Sequence, residues 1–132
     1  MSVIANKVYD LIKELFPYNV IIKEHYINYK GTRLFFDFII KDLGVYIEVH
    51  GRQHFEYVKH FHETKEKFFG QKKRDNLKIQ YIQENTKLCL VRFYDGEKLN
   101  KEKVLQRITE ALSSEDCYVW YYNFRKKERY LR

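Results

Sequence analysis

Two acidic side chains stand inside two short apolar segments, and their spacing indicates that they act together. Leu34–Ile40 carries Asp37, and Val45–Val49 carries Glu48. Both segments are rich in aromatic and β-branched residues, which favours β-strands. The residues between them, 41–44, have the polar and glycine content of a tight hairpin turn.

A two-residue loop at Asp42 and Leu43 sets the register of this hairpin, because Lys41 then faces Gly44. Counting outward pairs Ile40 with Val45 and Phe38 with Ile47. The same count places Asp37 directly opposite Glu48 on one face of the sheet, since side chains alternate in step on paired strands. Opposed Cβ atoms in an antiparallel pair are about 4.5–5.5 Å apart, so two like charges there are destabilising unless something compensates.

Three compensations are open: one carboxyl keeps its proton, a Lys or Arg lies nearby, or a divalent cation binds. We favour the cation, because His50 is the next residue on the same face after Glu48. Gln53 and His54 follow at the same strand end. Asp37 and Glu48 are therefore predicted to hold Mg²⁺, with Mn²⁺ able to replace it.

This pattern resembles the core of the PD-(D/E)XK nuclease superfamily, in which an Asp in one strand precedes a Glu-x-Lys in the next. Asp37 and Glu48-Val49-His50 match it, with His50 where the family usually has lysine. The resemblance covers residues 22–93. It implies an α/β fold with a restriction-endonuclease-like mixed β-sheet, a central hairpin and flanking helices, and it implies metal-dependent hydrolysis of DNA phosphodiester bonds.

Within the superfamily, the chain is similar to the branch around the very-short-patch repair endonucleases and related phage and mobile-element nucleases. In that branch an Asp is followed by a His-Gly pair at the spacing of Asp37 to His50-Gly51, and by a further His, here His54. A basic helix and a strand follow, matched by Leu88–Phe93. The repair enzymes have no acid at the position of Glu48, so this chain combines two versions of the site.

The resemblance also implies roles for neighbouring residues. The Val49 carbonyl becomes a metal ligand, and Glu24 becomes an additional acid, with a solvated strand-edge carboxylate as the alternative. His50 acts as general base or holds the attacking water or the scissile phosphate, because the ordinary pKa of a histidine is near neutral. Gln53 orients water or phosphate, and His54 does the same or protonates the leaving group.

The segment from Lys59 to about Asn85 is helical in composition and very basic. We predict that cations here and in the preceding loop contact phosphate oxygens. The predicted contacts are Arg52, Lys72, Lys73, Arg74 and Lys78. The alternative is a solvated helix face whose charges pair along the helix.

Further elements complete an α/β arrangement. An amphipathic helix capped by Ser2 ends before Pro17, and another begins after Asn100 and runs to Ser113. A right-handed crossover through the basic helix makes the strand at 87–93 parallel to the second hairpin strand. We predict one domain over residues 1–132.

The core of that domain spans about residues 20–112, and an aromatic and basic extension follows at 117–132. This extension is an added strand, a dimer surface, or an arm that stacks on bases. The net charge of +7 and the aromatic content of 17% suit a polyanionic partner.

DNA is the expected partner, with a homodimer or a partner protein needed to cut both strands. No membrane association and no small-molecule cofactor are expected. Two cysteines and the lack of a signal peptide predict a cytosolic protein of a bacterium or a phage-infected host.

The sequence is also compatible with a different metal site and with two other functions. A zinc site is weak, because structural zinc sites are usually rich in thiolates; its ligands would be His50, His54, His60 and His62. A non-catalytic nucleic-acid-binding domain that keeps the nuclease fold is the main alternative. An interaction module that self-associates through the aromatic tail is the third.

Overall fold

The computed structural model describes residues 2–51, 64–85 and 87–113, and the backbone of 118–123 and 128–130. These residues form three helices and six strands. In chain order they are α1 (Val3–Leu15), β1 (Ile21–Tyr29), β2 (Thr32–Ile40), β3 (Val45–His50), α2 (Lys65–Gln83), β4 (Cys89–Tyr94), α3 (Lys101–Leu112), β5 (Tyr118–Asn123) and β6 (Glu128–Tyr130).

The strands lie side by side in the order β1-β2-β3-β4-β5-β6. β1, β2 and β3 are antiparallel neighbours, whereas β3 and β4 are parallel and joined through α2. β5 adds a further parallel strand to β4, and β6 pairs antiparallel with β5. The predicted mixed α/β sheet with a central hairpin and flanking helices is confirmed. Part of the C-terminal extension therefore adds strands to the sheet.

The central hairpin has the predicted register. Ile40 pairs with Val45, and Phe38 pairs with Ile47. A short 3₁₀ turn over Lys41–Leu43 makes the connection. The turn, a local feature of the sequence, sets this register. Every residue of β3 is buried, so an exposed face of that strand does not contribute to it.

Midway along the β1–β2 hairpin, the side chains switch the face of the sheet toward which they point. Glu24 has a left-handed backbone with φ of 53°, and the rung at which it would face Asp37 is missing from the otherwise continuous pairing. Phe36 packs in the same buried cluster as Ile39, whereas Phe38 packs in the other cluster. Strict alternation would put Phe36 and Phe38 on one face. Both strands therefore bulge at the position where Glu24 of β1 would face Asp37 of β2.

Each face of the sheet has its own core. The cluster on one face contains apolar residues of α1 and α3, such as Val8, Ile12 and Ile108. The cluster on the other face contains Ile82 of α2 and Tyr46 of β3. The sheet thus separates α2 from the other two helices, and side chains of β3 that point toward α2 meet that helix alone.

The predicted helix caps are confirmed. The Ser2 hydroxyl accepts the N–H of Ala5 at 3.2 Å, and the Asn100 side-chain oxygen accepts the N–H of Lys103 at 2.8 Å. Each cap satisfies a backbone donor of the first helical turn. Across the described residues, every helix is too short or too polar to cross a lipid bilayer.

Gly44 closes the central hairpin turn and is expected to tolerate alanine poorly. Its φ is +66°, and a Cβ there would lie 2.9 Å from the Lys87 carbonyl oxygen. Gly31, with φ of +77° and open space around it, is the matched control. Gly31→Ala should cost about 1–2 kcal/mol for the left-handed backbone alone. Gly44→Ala should cost more, because the turn must also move away from Lys87.

Urea unfolding of both variants measures the difference. Equal losses of unfolding free energy would mean that the approach of Gly44 to Lys87 is not tight.

Candidate active site

The Glu48 side chain is the centre of a buried polar cluster between β3, β4 and α2. The residue is 2% exposed. Its Oε1 accepts a hydrogen bond from Lys78 Nζ of α2. Its Oε2 accepts from Arg92 Nε of β4 at 3.0 Å and contacts His50 Nε2 at 3.0 Å. A buried carboxylate is stable only when it is paired and hydrogen-bonded, and these three partners meet that requirement.

These partners decide the ionisation state of Glu48. Burial by itself would raise the pKa of the carboxyl, but the charges of Lys78 and Arg92 and the contact with His50 outweigh it. The pKa of Glu48 is therefore held well below its ordinary value. Of the three compensations open from sequence, neighbouring cations are the one that the structure shows for Glu48.

His50 is oriented by the same carboxylate. An ionised carboxylate can only accept hydrogen bonds, so His50 Nε2 carries a hydrogen and donates to Glu48. The basic nitrogen of the neutral ring is then Nδ1. The imidazole also packs edge-on against the Tyr94 ring, with centroids 5.6 Å apart. A carboxylate that fixes the tautomer and orientation of a histidine is the arrangement used by many general bases.

Asp37 lies where β2 and β3 separate. The regular pairing of these strands stops at Phe38 and Ile47, and one step further Asp37 Oδ2 accepts the backbone N–H of Val49 at 2.7 Å. The Asp37 carboxylate therefore lies at the seam between the strands. Asp37 and Glu48 are neighbours in the predicted register, but their carboxylates have different partners.

Arg92 and Arg107, which the sequence pattern did not indicate, connect the Glu48 cluster to α2 and α3. Arg92 Nη2 donates to the Asp75 carbonyl at 2.9 Å, which joins β4 to α2. Arg107 of α3 donates from Nη1 to the Arg92 carbonyl and to Glu97, each at 3.0 Å. Burial would lower the pKa of Arg92, but Glu48 and Asp75 raise it. The parallel register opposes Glu48 to Arg92, but tertiary packing sets that register, so no sequence signal marked Arg92.

The predicted phosphate-binding residues of α2 occupy different environments. Lys73 and Arg74 are exposed, as a phosphate contact requires. Lys72 is half-buried, and its pKa is lowered by burial and by Arg92, against the opposing effect of Asp75. Lys78, which was predicted to contact phosphate, does not share the exposed face of Lys73 and Arg74, because it is buried and bound to Glu48. It belongs to the buried cluster.

Other predicted site residues are placed as follows. Arg52, Gln53 and His54 lie outside the described residues. Glu24 is exposed at the bulge across from Asp37. Val49 is buried, and its N–H is the donor to Asp37.

Asp37 and Glu48 are the carboxylates that a hard divalent cation would use here. Mg²⁺ is usually held by one or two carboxylates, with water and substrate phosphate completing its shell, and Asp37 and Glu48 supply two. An ionised carboxylate has about four acceptor positions, so a further position on Glu48 remains beside those used by His50, Lys78 and Arg92. Two carboxylates suit such an ion in number, but Lys78 and Arg92 already place positive charge on Glu48.

Protein side chains alone do not complete a metal site. Within the described part of the chain, no three His, Cys, Asp or Glu side chains are grouped closely enough to hold an ion. A cation here would need oxygens from water or substrate. Of the proposed zinc ligands, His50 contacts Glu48, and His54, His60 and His62 lie outside the described residues.

Comparisons with protein-family models, with curated proteins and with solved structures return no match. The function proposed for the site therefore rests on its own residues.

Proposed function

We propose that the protein is a Mg²⁺-dependent DNA endonuclease of the PD-(D/E)XK type. The observation that carries the proposal is the contact of Glu48 with both His50 and Lys78, next to the point where Asp37 bonds the backbone of β3. An acid, an imidazole and an ammonium group thus meet in one cluster, and Asp37 binds the backbone of the residue that follows Glu48. Groups of these types activate water and balance charge in phosphodiester hydrolysis.

The chain's own residues would divide the work as follows. Asp37, Glu48 and the Val49 carbonyl would hold the ion, and Glu24 is a further acid on the adjacent strand. Bound Mg²⁺ supplies charge neutralisation at the phosphate and a more acidic water. His50, held by Glu48 through Nε2, would accept a proton at Nδ1.

The positive groups near the cluster suit a polyanionic substrate. Lys73 and Arg74 are exposed on α2. Lys72 is half-buried, and the charge of Arg92 contributes to lowering its pKa. Cations placed in this way bind phosphate oxygens without reading sequence, and that binding weakens as salt rises. Arg52 and Gln53 keep their proposed roles as contacts to DNA and to water.

Purified protein with plasmid, single-stranded and branched DNA tests the proposal. Cleavage is expected in Mg²⁺ or Mn²⁺ and not in EDTA. Asp37→Asn should reduce it at least about 100-fold while the circular dichroism spectrum stays unchanged. Equal cleavage by wild type and Asp37→Asn would assign the activity to a contaminant, and absence of cleavage on all substrates would reject the proposal.

One observation favours the alternative of a non-catalytic nucleic-acid-binding domain. Three cationic or hydrogen-bonding partners surround the Glu48 carboxylate, as in ion-pair clusters that serve stability. In that case DNA binding persists, salt-sensitive and unaffected by Asp37→Asn, without cleavage in either metal. The same binding and cleavage series therefore separates the two functions.

A further inference from the structure

Two half-exposed aromatic rings form a pair on the outer part of the β1–β2 hairpin. Tyr26 and Phe35 are cross-strand partners, and their ring centroids are 5.5 Å apart. Tyr26 is 50% exposed and Phe35 is 51% exposed. Large apolar side chains with this much exposure, placed side by side, are unusual in the described part of the chain and mark a contact surface.

The bulge at Glu24 and Asp37 explains why these rings point outward. Beyond it, Leu34 and Phe36 turn into the core beneath α2. Tyr26 and Phe35 consequently lie on the opposite side of the hairpin, where no helix covers them among the described residues.

Cations accompany the rings. The Arg33 guanidinium carbon lies 3.9 Å from the Tyr26 ring centroid and 5.2 Å from that of Phe35. Lys23, three residues before Tyr26, lies 4.0 Å from the ring of Tyr9. Arg33 and Lys23 are both exposed. Flat apolar rings with guanidinium and ammonium groups beside them combine a stacking platform with phosphate-binding charge.

We propose that Tyr26, Phe35 and Arg33, together the hairpin patch, bind an unpaired nucleobase of the DNA substrate. The rings stack on the base, and Arg33 with Lys23 contacts the neighbouring phosphates. A stacked base must be out of a duplex, so the substrate class is DNA with a single-stranded segment, such as a branch or flap. That the ligand is a nucleic acid rests on the proposed function.

The position of the hairpin patch supports a role in substrate binding. The Tyr26–Phe35 pair lies two residues beyond the Glu24–Asp37 rung along both strands, which is about 7 Å at the rise of a β-strand. The patch is therefore close to Glu24 and Asp37, whereas Glu48 lies on the other face of the sheet, beneath α2. The net charge of +7 also favours a polyanion over an apolar protein surface as the occupant.

Fluorescence anisotropy in EDTA tests the patch without cleavage. The probes are a single-stranded oligonucleotide and an abasic strand of the same length, which keeps the phosphates and lacks bases. Tyr26→Ala with Phe35→Ala should weaken binding to the base-containing strand about fivefold or more. Binding to the abasic strand should stay unchanged.

Two further variants are controls for this comparison. Tyr26→Phe with Phe35→Tyr keeps both rings and should bind like wild type, even where the alanine pair folds poorly. Tyr18→Ala removes a 98% exposed ring elsewhere in the chain and should also have no effect.

Several results would overturn the proposal. These are an equal loss on both strands, no loss on either, or a wild-type dimer in sedimentation that the alanine pair converts to monomer. If one of these results came together with cleavage of plasmid in Mg²⁺, the nuclease proposal would stand while the patch proposal fails. Base-dependent binding without any cleavage would do the reverse.

Discussion

Glu48→Gln is expected to lower the free energy of unfolding by about 3–5 kcal/mol, the range found when one partner of a buried ion pair is removed. The amide has no charge, so Lys78 and Arg92 are left as buried cations without their shared counter-charge. Cleavage should be lost as well, because the amide removes the charge and one of the two carboxylate oxygens through which Glu48 would hold His50 and the ion. Urea unfolding and plasmid cleavage measure the two effects.

Glu14→Gln is the matched control. Glu14 pairs with Lys101 at 3.2 Å, but both side chains are more than half exposed. Exposed pairs contribute about 0–1 kcal/mol, so this variant should be nearly as stable as wild type. Similar losses in the two variants would show that the Glu48 cluster is not buried in solution.

The effect of Glu48→Gln should depend on pH. Because the folded-state pKa of Glu48 is lowered from its ordinary 4.5, the contribution of this carboxylate is fully present above about pH 4.5 and is lost as the pH falls below it. The stability difference between wild type and Glu48→Gln should therefore shrink as the pH falls below this value. A difference that stays constant down to the acid transition would contradict the lowered pKa.

Lys78→Gln should abolish most of the activity and also destabilise the fold. Cleavage is expected to fall at least about 100-fold, since a positive group beside the reacting centre is removed. Unfolding free energy should fall by about 1.5–3 kcal/mol, the contribution of a hydrogen bond to a charged group. Lys78 is the strongest of the charges that lower the Glu48 pKa, so acid unfolding should also move to higher pH.

Lys73→Gln makes the same chemical change on the exposed side of α2. Stability should change by less than about 0.5 kcal/mol. Binding to DNA should weaken for all sequences, and the slope of log affinity against log salt should decrease by about 1. If Lys78→Gln only weakened binding in this way, Lys78 would be a phosphate contact and its proposed part in the site would be wrong.

The central hairpin was predictable because its determinants are local. The turn at 41–44 specifies one register through its length and geometry. That register would place Asp37 opposite Glu48, but the regular pairing stops at Phe38 and Ile47, and Asp37 bonds the backbone of Val49. The bulge at Glu24 was not predictable, since apolar residues on both sides of β2 hide the change of face.

The environment of Lys78 was not predictable for a different reason. In sequence it is one of several cations on a basic helix, and such runs usually face solvent. The structure turns Asp75, Lys78 and Ile82 toward the sheet, and these positions share one helix face. Only the rotation of α2 over β3 and β4 distinguishes buried Lys78 from exposed Lys73.

The sequence by itself therefore determined the order of the elements and the register of the central hairpin. Tertiary structure decided which groups hold the Glu48 charge. Lys78 and Arg92 stand 30 and 44 residues beyond Glu48 in the chain. Contacts at that separation depend on how a helix and a parallel strand pack together, and no local preference of either segment specifies that packing.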